Sequence, residues 1–162
     1  MTTAATTNPQ EAKLTDNPQE VRRVLAELAS RGATDGTKAP ELNGYLLKDP
    51  EKPAIFLILN GQRRQVPDVA TLNGLFVTNR TVHEDFHIEM IEKGDDLAVG
   101  STLVKGDGKD PWYLIPGGKV KMWIKTQDIF AQYQFRNVTT VAQILVDSIP
   151  DGDPVAARTK RP

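Results

Sequence analysis

Apolar residues along this chain follow two patterns. Val21, Val24, Leu25 and Leu28 recur at helical spacing, which predicts an amphipathic helix over residues 17–32. The sequence also marks the ends of that helix. Asn17 is a capping residue and Pro18 suits the first helical position. Glu20 can return a hydrogen bond to the cap, and Gly32 supplies the stop. Residues 1–16 are rich in Thr, Ala, Asn and Gln, so a disordered N-terminus is expected there. Residues 33–43 read as a linker of Gly, Ala, Thr, Lys and Pro. From residue 44 onward the pattern changes. Residues 54–59 are almost all apolar and β-prone, and they run into Asn60-Gly61. That pair signals a hairpin, because both central positions of a type I′ turn need positive φ. The return strand is expected over 62–66. Pro67-Asp68 then favours a short helix with Leu72 and Leu75 facing inward.

The same message is then written again. At an offset of 57, Leu46/Leu103, Lys48/Lys105, Lys52/Lys109, Leu57/Leu114, Ile58/Ile115 and Gly61/Gly118 are identical. After one inserted residue the offset becomes 58, and Asn79/Asn137, Thr81/Thr139, Ile91/Ile149, Gly94/Gly152, Asp95/Asp153 and Ala98/Ala156 match. The second copy has Gly117-Gly118 at the turn, a return strand over 119–124, and a helix start at Thr126-Gln127-Asp128. Phe130 and Tyr133 form its inward pair. Val138, Val141, Ile144, Leu145 and Ile149 then follow a helical pattern. One short unit cannot bury its apolar face alone. The expected fold is therefore β-rich α+β: two tandem hairpin-and-short-helix repeats of about 57 residues packed together, plus the N-terminal helix. Repeat 1 covers 44–100 and repeat 2 covers 101–157. Residues 158–162 form a short basic tail, expected to be disordered.

The stretch Ile55-Phe56-Leu57-Ile58-Leu59-Asn60-Gly61-Gln62-Arg63-Arg64-Gln65-Val66-Pro67 resembles a tandem repeat of bacterial extracellular and surface-associated proteins. That repeat has a Val/Ile-Tyr/Phe-Leu-Ile strand, a glycine turn, one or two basic residues and then Val/Ile-Pro. It often closes with Ile-Pro-x-Gly, as at Ile149-Pro150-Asp151-Gly152. Trp112-Tyr113-Leu114-Ile115 with Gly118-Lys119-Val120-Lys121 resembles the second copy, although Trp123-Ile124-Lys125 replaces Val-Pro there. The resemblance implies binding or adhesion and a secreted or surface-associated setting.

Charge and composition narrow the field. The net charge of −1 gives no basic field for nucleic acid. With no cysteine, neither disulfides nor cysteine-based metal sites can form. No run approaches the roughly 18 apolar residues of a membrane span. Met1 to Lys13 is polar and carries no apolar signal region. The location stays open between the cytoplasm, export without such a signal, and a signal already removed.

The preferred function is a non-enzymatic binding module, carbohydrate recognition or adhesion first. Trp112, Tyr113 and Trp123 would offer stacking surfaces, and Asn60, Arg63, Lys119 and Lys121 polar contacts. By the two-residue strand period, Lys119, Lys121, Trp123 and Lys125 share one face. The alternative reading of Trp123 is that it covers the core edge, while the lysines keep that edge from pairing with other chains. A second hypothesis rests on His83-Glu84-Asp85-Phe86-His87. On a helix, His83 and His87 would share a face and could hold zinc, with Glu84 polarising a bound water as in a small zinc hydrolase. Against it, no third ligand is recognisable, and the aligned positions of the other copy are Val141 and Leu145. A solvated or edge-packed histidine pair is the plainer alternative. Without zinc, no cofactor is called for. A third hypothesis is a toxin or assembly component that meets a partner, or a second copy of itself, through helix 17–32.

Overall fold

A computed structural model of the chain describes residues 16–31, 36–109, 111–117 and 119–159. The segment 1–15, the expected helix stop Gly32, linker residues 33–35, Asp110, Gly118 and the last three residues lie outside the described residues. Helix α1 (Pro18–Ser30) forms as its sequence predicts, with the Asn17 side chain accepting from the Gln19 and Glu20 amides. The Glu20 carboxylate accepts from Arg23, one turn on. The first unit then contains β1 (Leu46–Lys48), β2 (Ile55–Leu59), β3 (Gln62–Gln65), helix α2 (Val69–Leu75), β4 (Val82–Glu84) and a 3₁₀ turn at Ile88–Met90. The second contains β5 (Thr102–Gly106), β6 (Trp112–Ile115), β7 (Met122–Ile124), helix α3 (Gln127–Gln132), β8 (Thr139–Val141) and helix α4 (Gln143–Asp147). Among the described residues, no helix is long and apolar enough to cross a membrane.

The fold is α+β and doubled. Each unit makes a four-stranded sheet in the same order, β3-β2-β1-β4 in one and β7-β6-β5-β8 in the other. Three strands are antiparallel, and the last joins the first strand in parallel. The register agrees as well. Leu46 faces Leu57 and Leu47 faces Phe56, as Leu103 faces Leu114 and Val104 faces Tyr113. The inserted residue falls in the hairpin connection. The first hairpin turns tightly through Asn60 (φ 52°) and Gly61 (φ 81°). The second runs more widely from Ile115 to Met122, so its return strand starts at 122 rather than the expected 119.

Burial explains why residues 54–59 show no polar alternation. The inner row of both sheets enters one shared core. Leu46, Leu57, Leu59 and Phe76 meet Leu103, Leu114, Tyr133 and Phe135 there. The outer row of sheet 1, Leu47, Phe56 and Ile58, is covered by Val21, Val24, Leu25 and Leu28 of α1. A strand covered on both faces reads as a continuous apolar run. The outer row of sheet 2, Val104 and Ile115, is covered by Val146 of α4.

The units also exchange backbone. Phe76 and Phe135 form an antiparallel bridge, and their rings stack at 5.7 Å. The Ala98 amide donates to the Pro116 carbonyl of the second hairpin (2.8 Å). Reciprocally, the Ala156 amide donates to Asn60 Oδ1 at the first hairpin (2.7 Å). Leu97 and Val155, at equivalent places beside these crossings, are each 1% exposed.

Two expectations are corrected. The helical pattern from Val138 to Ile149 is two elements. Residues 139–141 pair with β5, and only Gln143–Asp147 coils. Ile144 and Leu145 are consequently exposed, and Val146 is the buried residue. Secondly, the 58-residue alignment fails at β4. His83 faces Leu47, and Thr139 faces Val104, so His83 corresponds to Thr139 and not to Val141. From the helix cap to the equivalent strand residue the first unit has two residues more, Asp68 to His83 against Thr126 to Thr139, and the parallel ladder sets the register.

Removing the Phe135 ring leaves a hole where both units meet. Phe135→Ala is expected to destabilise the protein by about 3–5 kcal/mol, measured by urea unfolding. A loss below about 1 kcal/mol would contradict the shared core.

Candidate binding groove

Most of the polar residues singled out by sequence are engaged by the chain itself. Arg63 and Lys121 occupy equivalent places and do the same work. The Arg63 amide donates to the Glu92 carbonyl and its carbonyl accepts from Gly94; Lys121 does so with Pro150 and Gly152. Arg63 Nε donates to the Ile91 carbonyl (2.9 Å), and Lys121 Nζ donates to the Ile149 carbonyl (2.6 Å). Each cation lies over the aromatic ring of its own central strand, Arg63 over Phe56 at 5.1 Å and Lys121 over Tyr113 at 5.3 Å. Tyr113 therefore lies beneath Lys121. Asn60 is occupied too: its amide donates to the Pro154 carbonyl while its oxygen takes the Ala156 amide. These three polar side chains hold each unit's closing segment to a hairpin. Lys119 is exposed in the wide second hairpin.

The His-Glu-x-x-His segment is not a helix. Residues 82–84 pair with β1 and Asp85 donates its amide to the Lys48 carbonyl, so the backbone is extended. Strand alternation sends His83 inward and Glu84 outward, 3.7 Å from Lys48. The turn that follows leaves His87 exposed, with Nδ1 3.0 Å from Asp85. The two imidazoles therefore lack the common helical face that the zinc reading requires. Among the described residues, no group of three His, Cys, Asp or Glu side chains is arranged to hold a metal ion.

His83 belongs to a buried polar junction that the sequence did not signal. Its Nε2 lies 3.0 Å from the Asp16 carboxylate, and its ring packs edge-on against Tyr45 at 5.4 Å. Arg80 and Arg158 each approach the same carboxylate at 3.8 Å. Gln134 donates to it at 3.0 Å. Arg80 also donates to the carbonyls of Tyr133 (2.6 Å) and Gly44. Arg158 donates to the Asn43 carbonyl and lies 4.0 Å over the Tyr45 ring. Burial pushes the Arg80 guanidinium down to about 10, and Asp16 acts in the opposite direction. The junction joins the start of α1, both units and the closing segment. Its role is structural.

The open site lies elsewhere, where the second sheet meets the start of α3. Lys105, Pro111, Trp112, Trp123, Ile124, Lys125, Thr126 and Gln127 line a groove of about 490 Å³. Lys105, Trp112 and Ile124 are one cross-strand row. Trp112 is held edge-on against Phe130 at 4.9 Å and packs on the core. Trp123 points to the other side of its strand, opposite Tyr113, and is 43% exposed. Lys125 Nζ sits 5.6 Å from the Trp123 ring centre. The groove thus joins Trp112 and Trp123, but not Asn60, Arg63 or Lys121.

The first unit has a groove at the equivalent place, about 280 Å³, lined by Pro53, Ala54, Ile55, Gln65, Val66, Pro67, Asp68, Val69 and Leu72. The ladder register makes Ile55 the counterpart of Trp112, and Gln65 that of Trp123. Asp68 and Thr126, which cap the two short helices, correspond as well. The doubled scaffold therefore carries one groove twice, apolar in the first copy and aromatic and cationic in the second. Lys105, Thr126 and Gln127 escaped the sequence reading. Aligning the copies and asking where they differ would have found this region, since Ile55/Trp112 and Gln65/Trp123 stand out.

Asp16→Ala would leave two buried guanidiniums without their carboxylate. The expected cost is about 3–5 kcal/mol, against less than about 0.5 kcal/mol for the exposed His87→Ala. Thermal unfolding of the two variants checks the difference; equal small shifts would contradict a structural junction.

Comparison of the chain with protein-family models, with curated proteins and with solved structures returned no match.

Proposed function

We propose that the chain is a non-enzymatic binding module, of the carbohydrate-recognition or adhesion kind, with its ligand in the groove of the second unit. The observation that carries this reading is the concentration of two tryptophans and two lysines around one open groove. Its size lies within the roughly 300–1,000 Å³ of small-ligand sites. An indole face held by packing stacks on a ring at little entropic cost, because it has few torsions to freeze. Trp112 is fixed by Phe130 and the core, and Trp123, half-open, lines the same groove from the opposite face of the sheet. Thr126 and Gln127 add hydroxyl and amide groups that can bond to sugar hydroxyls.

The partner-binding alternative has less support. The apolar stripe of α1 is the stripe that covers sheet 1, so offering it to another chain would uncover Leu47, Phe56 and Ile58.

A glycan array with the wild-type protein and Trp123→Ala tests the proposal. Wild type is expected to bind at least one ring-bearing glycan. Trp123→Ala should weaken that binding about tenfold or more, as loss of about 1–2 kcal/mol of stacking and burial implies. Its unfolding midpoint should stay unchanged. Equal binding by both proteins, or a silent array with folded wild type, would overturn the proposal.

A further inference from the structure

The chemistry that separates the two grooves points to a ligand class. In the first unit, Lys48 faces Glu84 across the parallel pair, and their charged groups lie 3.7 Å apart. In the second, the counterpart Lys105 faces Thr140, an uncharged partner. Val66, which follows Gln65, is succeeded by Pro67 in the first groove; Ile124, which follows Trp123, is succeeded by Lys125 in the second. The changes run together. Two neutral side chains become indoles, a proline becomes a lysine, and the cross-strand partner of a lysine changes from Glu84 to Thr140. Asp68, the only carboxylate lining the first groove among the described residues, becomes Thr126. Among the described residues, the second groove is lined by two ammonium groups and no carboxylate.

We infer that this groove selects an acidic saccharide: a sugar ring that stacks on Trp123 and bears a carboxylate or sulfate met by Lys105 and Lys125. The inference rests on the binding-module reading. A neutral sugar would use the indoles but not the two ammonium groups, whereas an acidic one uses both. A polynucleotide also joins rings to anions, but it needs a basic track along several phosphates. Lys121, on the same sheet, does not extend one, since its ammonium bonds to the Ile149 carbonyl of its own unit. A groove of about 490 Å³ on a chain of net charge −1 suits a short stretch of acidic glycan better than an extended anionic strand.

Tryptophan fluorescence titration at low salt tests this with three oligomers of equal length: galacturonate, glucose and thymidylate. The galacturonate oligomer is expected to bind at least about tenfold tighter than the glucose oligomer, and more weakly as salt rises. The Lys105→Gln/Lys125→Gln double variant should bind the two sugars alike. If that variant folds poorly, Lys125→Gln alone, at an exposed position, should remove part of the preference. Equal wild-type binding of both sugars would overturn the acidic preference and leave the binding module standing. Thymidylate binding as tight as galacturonate would overturn the saccharide assignment. No binding of either sugar by folded protein would overturn the module reading itself.

Discussion

Each small sheet in this protein has an inner apolar row that only the other sheet can cover. A three- to five-residue strand buries too little by itself to offset the entropy of ordering its own unit. Leu57 and Leu114 sit in the central strands of the two sheets and belong to one core. Much of the remaining architecture serves that contact. The closing segment of each unit crosses to the other unit's hairpin, and Leu97 and Val155 are buried beside the crossings. Phe76 and Phe135 join the units at the backbone as well as through their rings. Arg63 and Lys121 pin each closing segment before it crosses.

The same constraint explains a buried charge cluster at the junction. Charges are costly to bury unless they are paired and their remaining hydrogen-bonding capacity is met. Here one carboxylate, from Asp16 at the threshold of α1, faces Arg80 and His83 from one distant part of the chain and Arg158 from another. Arg80 and Arg158 give further hydrogen bonds to backbone carbonyls. Such a cluster adds little net stability over an apolar one, but it is selective. Its geometry exists only when helix, both units and closing segment are all in place.

The doubling and the elements inside each unit were legible in the sequence because they depend on local chemistry. The Asn60-Gly61 turn, the caps at Asn17, Asp68 and Thr126, and the apolar runs announce themselves. What stayed hidden depends on long-range pairing. The short strands at 82–84 and 139–141 exist because β1 and β5 offer a free edge, so the motif at His83 read as a helix and Val138 to Ile149 as one element. The Asp16 junction joins residues far apart in sequence, and no spacing rule reaches across such a distance. Of the expected site, Trp112 and Trp123 fall together. Asn60, Arg63 and Lys121 bond to their own chain, and in sequence a polar residue beside a hairpin looks the same whether it meets a ligand or its own chain.

Duplication also frees one copy to vary. Both grooves are built on the same scaffold positions, so the second can change its lining without changing the fold that holds it. That freedom depends on the two units forming one cooperative body, because a groove on a unit that opened independently would have loose walls. Native-state hydrogen exchange along the central strands β2 and β6 tests this most directly. The most protected amides of both strands should open with the same free energy and merge into one unfolding isotherm as urea is added. Two separate isotherms, with one sheet opening while the other stays protected, would contradict the account.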